Sequence, residues 1–247
     1  MGNSNKAKID NLLRNQLMTA VTIDLQKLLR YAEGVAEIEN VVAVVSDIRN
    51  DISKIYSGRF GAVLGIEKYC HENSIWEKSI LDLMTETERE EKFLAELRFF
   101  NFLRHIPRNK RTDYYLASKL RAITSTGKSI DIFHRMYYIY SEDSDTVCYA
   151  LCLYGCLAFD FTGKSIIVDT LTGTIEELTS ERDASILSKR ERQILKHIDS
   201  GKTSAQIADA LSISKNTVSR HRQDILAKLQ VKNSIEACKI SKALGIL

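Results

Sequence analysis

The chain has 247 residues, 44% of them hydrophobic, with 35 Lys and Arg against 32 Asp and Glu and a formal net charge of +3. This length accommodates two domains with separate cores, and the apolar fraction excludes a disordered chain. No stretch approaches the roughly 20 uninterrupted apolar residues of a membrane span, and the opening MGNSNKAKID lacks the apolar centre of a secretory signal. The expectation is a cytoplasmic protein with no membrane partner.

In chain order, Ile9, Leu12, Leu13, Leu17, Ala20, Leu28 and Tyr31 predict an amphipathic helix over 7–33 stopped by Gly34, set in an N-terminal segment 1–37. Its apolar side packs either on its own domain or on a second subunit. Val41 to Val45 and Ile52 to Tyr56 read as strands, followed by a turn at Ser57-Gly58. A helix runs from about Glu86 to His105, with Phe93, Leu94, Leu97, Phe100 and Leu103 on its apolar side, and Pro107 ends it. Three strands follow as a meander: Tyr114 to Thr124, Ile130 to Tyr140 and Thr146 to Ala158, separated by a turn over 125–128 and an acidic turn over 141–145. Thr179 to Ser185 reads as an exposed polar linker within 179–186.

The last 61 residues, Leu187 to Leu247, predict four short helices. Leu187, Ile194, Leu195 and Ile198 line the first, which ends at Ser200-Gly201. Ile207, Ala208 and Leu211 line the second; Val218, Ile225 and Leu229 the third; Ile235, Cys238 and Leu244 the fourth. Thr203 or Ser204 caps the second helix and Ser214 the third. At about 100° per residue, Asn216, Arg220, Gln223 and Ala227 fall opposite the apolar side of the third helix, with Ser219 at the edge. Such residues suit base edges: Arg matches the acceptor pair of guanine, Asn and Gln match adenine, and Ala permits close approach. Lys202, Thr203, Ser204, Lys215 and Thr217 suit phosphate, as does Lys228 in the last turn of the third helix. Arg222 lies toward the core side, where it either reaches over the apolar seam to a phosphate or pairs with an acid.

This region, with Leu187-Ser188-Lys189-Arg190-Glu191-Arg192-Gln193-Ile194-Leu195, Gly201, Ile207-Ala208, Leu211, Ile213-Ser214, Thr217-Val218, His221, Lys228-Leu229 and Glu236-Ala237, resembles the LuxR-type helix-turn-helix of bacterial transcription regulators. The resemblance implies that the third helix enters the major groove of double-stranded DNA and that the fourth helps pair two subunits, giving a homodimer on a two-fold site. It implies base reading by Ser219, Arg220 and Gln223, and a packing or backbone role for His221. The chain departs from the pattern at Gln230, where Gly is usual, and at Ser234, where Arg is frequent. Charge partition agrees with a DNA reader at one end: residues 187–247 carry 12 Lys and Arg against 5 Asp and Glu, and residues 1–186 carry 23 against 27.

The β-β-α-β-β-β succession over 38–178 resembles a PAS domain, with Tyr56-Ser57-Gly58-Arg59-Phe60 and Leu64-Gly65 similar to the segment after its second strand. The expected architecture is therefore an α+β PAS-like domain, an antiparallel sheet with helices, joined to an all-α four-helix reader at 187–247. The PAS resemblance implies a sensor or dimerisation module. Asp47 stands alone where a phosphoacceptor receiver needs several acids, and Trp76 alone does not make an acyl-homoserine-lactone pocket. His71, His105 and His134 are the candidate bases or haem ligands, but no nucleophile, Gly-rich phosphate loop or carboxylate dyad accompanies them, so no enzyme and no cofactor are expected. Cys148, Cys152 and Cys156 share one face of a strand and read as core. The alternatives to a ligand-responsive DNA-binding regulator are a regulator that docks a protein, RNA polymerase included, and binds DNA weakly, or a haem or redox sensor.

Overall fold

A computed structural model describes residues 4–16, 24–124, 126–229 and 231–247. The chain divides into two compact units, 1–178 and 179–247. The N-terminal unit begins with α1 (Asn5–Arg14), whose cap Ser4 accepts from the Ala7 amide, and α2 (Leu25–Glu39), capped by Asp24. Two helices thus stand where one is predicted, and the Leu17 and Ala20 positions lie outside the described residues. Gly34 does not stop α2. A single interior Gly costs a helix about 1 kcal/mol, too little to end one that buries Ala32, Val35 and Ala36, and the stop falls at Asn40 in the left-handed conformation (φ 57°).

The strands are β1 (Val42–Asp47), β2 (Ile52–Ser57), the two-residue β3 (His71–Glu72), β4 (Tyr114–Ile123), β5 (Ser129–Tyr140), β6 (Val147–Cys156), β7 (Ser165–Asp169) and β8 (Ile175–Glu177). Helices α3 (Arg59–Leu64), α4 (Lys78–Leu81) and α5 (Glu86–Arg104) come between β2 and β4. Together the strands form one sheet in the order β3-β2-β1-β6-β5-β4-β7-β8, every described pair antiparallel. The expected early hairpin, helix and three-strand meander are all present. The fold is α+β and PAS-like in this succession, with β3, β7 and β8 as additions that no sequence pattern announced.

β1 is buried along its whole length because both faces of the sheet are covered. On one face Ala32, Val35 and Ala36 of α2 pack on Ala43, Val45, Leu151 and Leu153. On the other, Phe99 and Phe100 of α5 meet the Tyr138 ring at 5.6 and 5.9 Å. α1 also belongs to this unit: Trp76 donates its indole N–H to Asp10 (2.8 Å) and Asn5 donates to Glu90 (2.9 Å). Gly58 is required where β2 leaves the sheet, since a Cβ there would sit 2.1 Å from the Ala36 carbonyl oxygen.

The C-terminal unit contains α6 (Ser180–Ser185), α7 (Lys189–Asp199), α8 (Ser204–Leu211), α9 (Lys215–Lys228) and α10 (Ser234–Ala243). α6 occupies the segment predicted as an exposed linker, and Asp183 within it is buried. Small polar residues suit a short helix as readily as a connection, which is why composition misread it. Leu187, Ile194, Leu195, Ile207, Ala208, Val218, Ile225 and Leu229 form the predicted core, joined by Cys238 and Leu244. Ile235, predicted to line α10, is instead 71% exposed, and Ala237, Ile240 and Ala243 supply that face.

Candidate nucleic-acid interface

Three helix starts fix the reader. α7 opens with a complete capping box: the Ser188 hydroxyl accepts from the Glu191 amide, and the Glu191 carboxylate accepts from the Ser188 amide at 2.7 Å. Thr203 and Gln206 make a second box at α8, where Thr203 is the cap and Ser204 the first helical residue. Ser214 caps α9 by accepting from the Thr217 amide at 3.0 Å. Gly201 (φ 79°) and Ser212 (φ 52°) take the left-handed conformations that end α7 and α8. The α8 to α9 turn is therefore set by backbone geometry and caps.

With Val218, Ile225 and Leu229 buried to 1% exposure or less, α9 turns its other face outward. Asn216, Ser219, Arg220, Gln223 and Ala227 are all exposed there. The side chains of Asn216, Ser219, Arg220 and Gln223 have no hydrogen-bond or ion-pair partner among the described residues. Four uncommitted polar side chains on one turn-spaced stripe form a surface able to meet base edges.

The predicted phosphate residues separate into two groups. Lys202 and Lys215 are exposed and unpaired among the described residues, at the starts of α8 and α9; Thr203, Ser204 and Thr217 stand beside them. Arg222 and Lys228 are engaged inside the unit. Arg222, half-buried, donates to the Ser204 hydroxyl (3.0 Å) and the Ser234 hydroxyl (3.1 Å) and has no acid partner among the described residues; it ties α9 to the starts of α8 and α10. Lys228 donates to Glu191 at 2.8 Å, holding the end of α9 to the start of α7. Burial opposes the Glu191 carboxylate, but Lys228 and Ser188 more than offset it and hold its pKa below the usual value. Sequence reasoning missed Glu191 and Ser234 as positioning residues; the Ser-x-x-Glu spacing at 188–191 was the available signal for the first.

The family described as bacterial regulatory proteins, luxR family, matches residues 185–241. The C-terminal unit is a LuxR-type helix-turn-helix domain. Its relatives include the transcriptional regulatory protein DesR of Bacillus subtilis, 42% identical over 83 residues, which are 34% of this chain and 39% of DesR. The regulatory protein SdiA of Escherichia coli is 42% identical over 60 residues, 24% of this chain and 25% of SdiA. The nitrate/nitrite response regulator NarL of Escherichia coli is 35% identical over 81 residues, 30% and 38% of the two chains. The chain thus spans about two fifths or less of the curated relatives named here. Among solved structures, the phage VqmA complex with DPO aligns over 90% of this chain and 88% of that one at 14% identity and a TM-score of 0.35. The Rhodobacter sphaeroides LOV protein aligns over 91% and 96% at 10% identity and the same TM-score.

Around the LuxR-type domain's α7 and α9, Glu191, His221 and Asp224 bring metal-competent atoms within 4.8 Å of one another. Glu191 already serves Ser188 and Lys228, so that cluster is spoken for by packing of the domain. In the N-terminal unit, His71 sits exposed on β3, His105 is exposed at the end of α5 with Nδ1 2.8 Å from the Asn101 carbonyl oxygen, and His134 is fully buried in β5. They occupy three separate elements. Cys148 and Cys152 are core as predicted, whereas Cys156 is exposed at the end of β6. Asp47 caps a turn, accepting from the Arg49 and Asn50 amides at 3.0 Å. Among the described residues no helix is long and apolar enough to cross a membrane.

Proposed function

We propose that this chain is a sequence-specific DNA-binding transcription regulator that works as a homodimer, with its PAS-like unit responding to a ligand or partner. The uncommitted outer stripe of α9 carries the reading. Asn216, Ser219, Arg220 and Gln223 read bases, while Lys202, Thr203, Ser204, Lys215 and Thr217 hold the phosphates and set the register. Arg222 and Lys228 serve by fixing the angle of α9. Exposed Ile235 on α10 supports pairing of two readers through that helix, and a pair of recognition helices demands two half-sites at matched spacing.

The direct experiment is selection of bound genomic fragments at two ionic strengths. A two-fold motif that persists at higher salt is the expected result, because base contacts remain when phosphate contacts are screened. Enrichment of no motif, with binding that disappears as salt rises, would overturn the sequence-specific reading and leave a protein-docking regulator in its place.

A further inference from the structure

Between α5 and the inner face of the sheet, the N-terminal unit holds a buried polar cluster that DNA reading does not use. Lys92, with a side chain 1% exposed, touches Glu96 one turn along α5 and lies 3.8 Å from Glu77; the two carboxylates are 2% and 3% exposed. Two carboxylates therefore face one ammonium in a site nearly without water, where uncompensated charge is expensive. Burial pushes the Glu96 carboxyl up, with Glu77 adding to the effect and Lys92 opposing it. If both ionise, two carboxylates share one ammonium.

His134 and Tyr154 stand against it, their rings stacked at 4.7 Å, with the Lys92 ammonium 6.0 Å from the Tyr154 ring centroid. Both ring nitrogens of His134 and the hydroxyl of Tyr138 are buried with no hydrogen-bond partner among the described residues, whereas the Tyr154 hydroxyl faces the Glu77 carboxylate. Burial, and then Lys92, keep His134 neutral, so it offers one donor and one acceptor. Buried polar groups are ordinarily satisfied. A cavity of about 20 Å³ is lined by Glu77, Lys92, Glu96 and Cys152 together with apolar side chains that include Leu13 and Met136. That is room for one water; a larger occupant must displace part of that lining, of which Met136 is the most adaptable member.

We propose that this interior is a binding site for a small organic cation, an amine or amidine, which supplies a second positive charge to Glu96 and Glu77 and hydrogen-bonds to His134 and Tyr154. The proposal rests on the sensor reading of this unit and gives it a ligand class. Anions are excluded, because the one cation in the site is already held by two carboxylates.

Acetamidinium, acetamide and acetate are planar and nearly the same shape, so thermal unfolding of the full chain in each, at equal ionic strength, isolates charge. Acetamidinium is expected to raise Tm by about 3 °C or more, acetamide less and acetate not at all. Glu96→Gln, which leaves Lys92 matched one-to-one with Glu77, is expected to lose the acetamidinium shift, and Tyr154→Phe to weaken it. Equal shifts with all three probes, no shift with acetamidinium, or an undiminished shift in Glu96→Gln overturns the site. Should a variant fail to fold, the three-probe comparison on the unaltered chain decides alone. Measuring DNA affinity with and without acetamidinium separates the two readings: a Tm shift with unchanged DNA affinity keeps the site and removes its role as a sensor.

Discussion

At the scale of single residues, Arg220 and Arg222 differ in what they serve although they lie two positions apart. Arg220→Ala is expected to weaken binding to the cognate site by about 1–3 kcal/mol, roughly 5- to 150-fold, and to leave Tm unchanged, since its side chain has no partner among the described residues to lose. Arg222→Ala is expected to lower Tm of the C-terminal unit, corresponding to about 1–2 kcal/mol for two part-buried, charge-assisted hydrogen bonds. Titration of labelled operator alongside thermal melts checks both; a Tm loss in Arg220→Ala with intact affinity would reverse the assignments. The outer stripe was legible because helical periodicity alone decides which side of α9 faces out. The partners of Arg222 and Lys228 were not, because Ser204, Ser234 and Glu191 lie 18, 12 and 37 positions away, a proximity only the folded packing creates.

At the scale of elements, the contact of Glu191 with Lys228 and the Ser188 amide couples α7 to the end of the recognition helix. The Glu191 pKa is held below its ordinary value, so its contribution to stability is fully present above the unfolded-state pKa of about 4.3 and is lost as pH falls through the folded-state value. The expected outcome is an acid-side loss of stability in the C-terminal unit that Glu191→Gln removes, read as Tm against pH from about 6 down to 3; an unchanged acid limb in the variant would show that the contact does not stabilise the unit. Elements with a long apolar stripe or run bounded by caps and turns were readable: α5, the β4 to β6 meander and the four helices of the reader. β7 and β8 were not, since five and three residues are too few to display alternation against their surroundings. α6 was hidden by a composition that caps, linkers and short helices share. The break between α1 and α2 was masked by an apolar stripe that continues across both.

At the scale of the whole molecule, the modest net charge of +3 conceals a basic reader of net +7 beside an N-terminal region of net −4. Repulsion between DNA and the acidic part should leave phosphate binding to the C-terminal unit, where Lys202 and Lys215, at the starts of α8 and α9, are uncommitted among the described residues. Each phosphate neutralised adds about −0.9 to the slope of log K against log salt. If two copies read one two-fold site, each substitution acts twice, so Lys202→Ala is expected to reduce the magnitude of the slope by about 2, while Lys228→Ala, whose ammonium serves Glu191, leaves the slope unchanged and lowers stability. Affinities of the full chain for one operator across a range of salt concentrations give the slopes. A change near 1 for Lys202→Ala would mean a single reader on the site, and no change would place Lys202 away from the backbone. The sequence preference should survive Lys202→Ala in either of the first two cases, because phosphate contacts position the reader while the α9 stripe selects the bases.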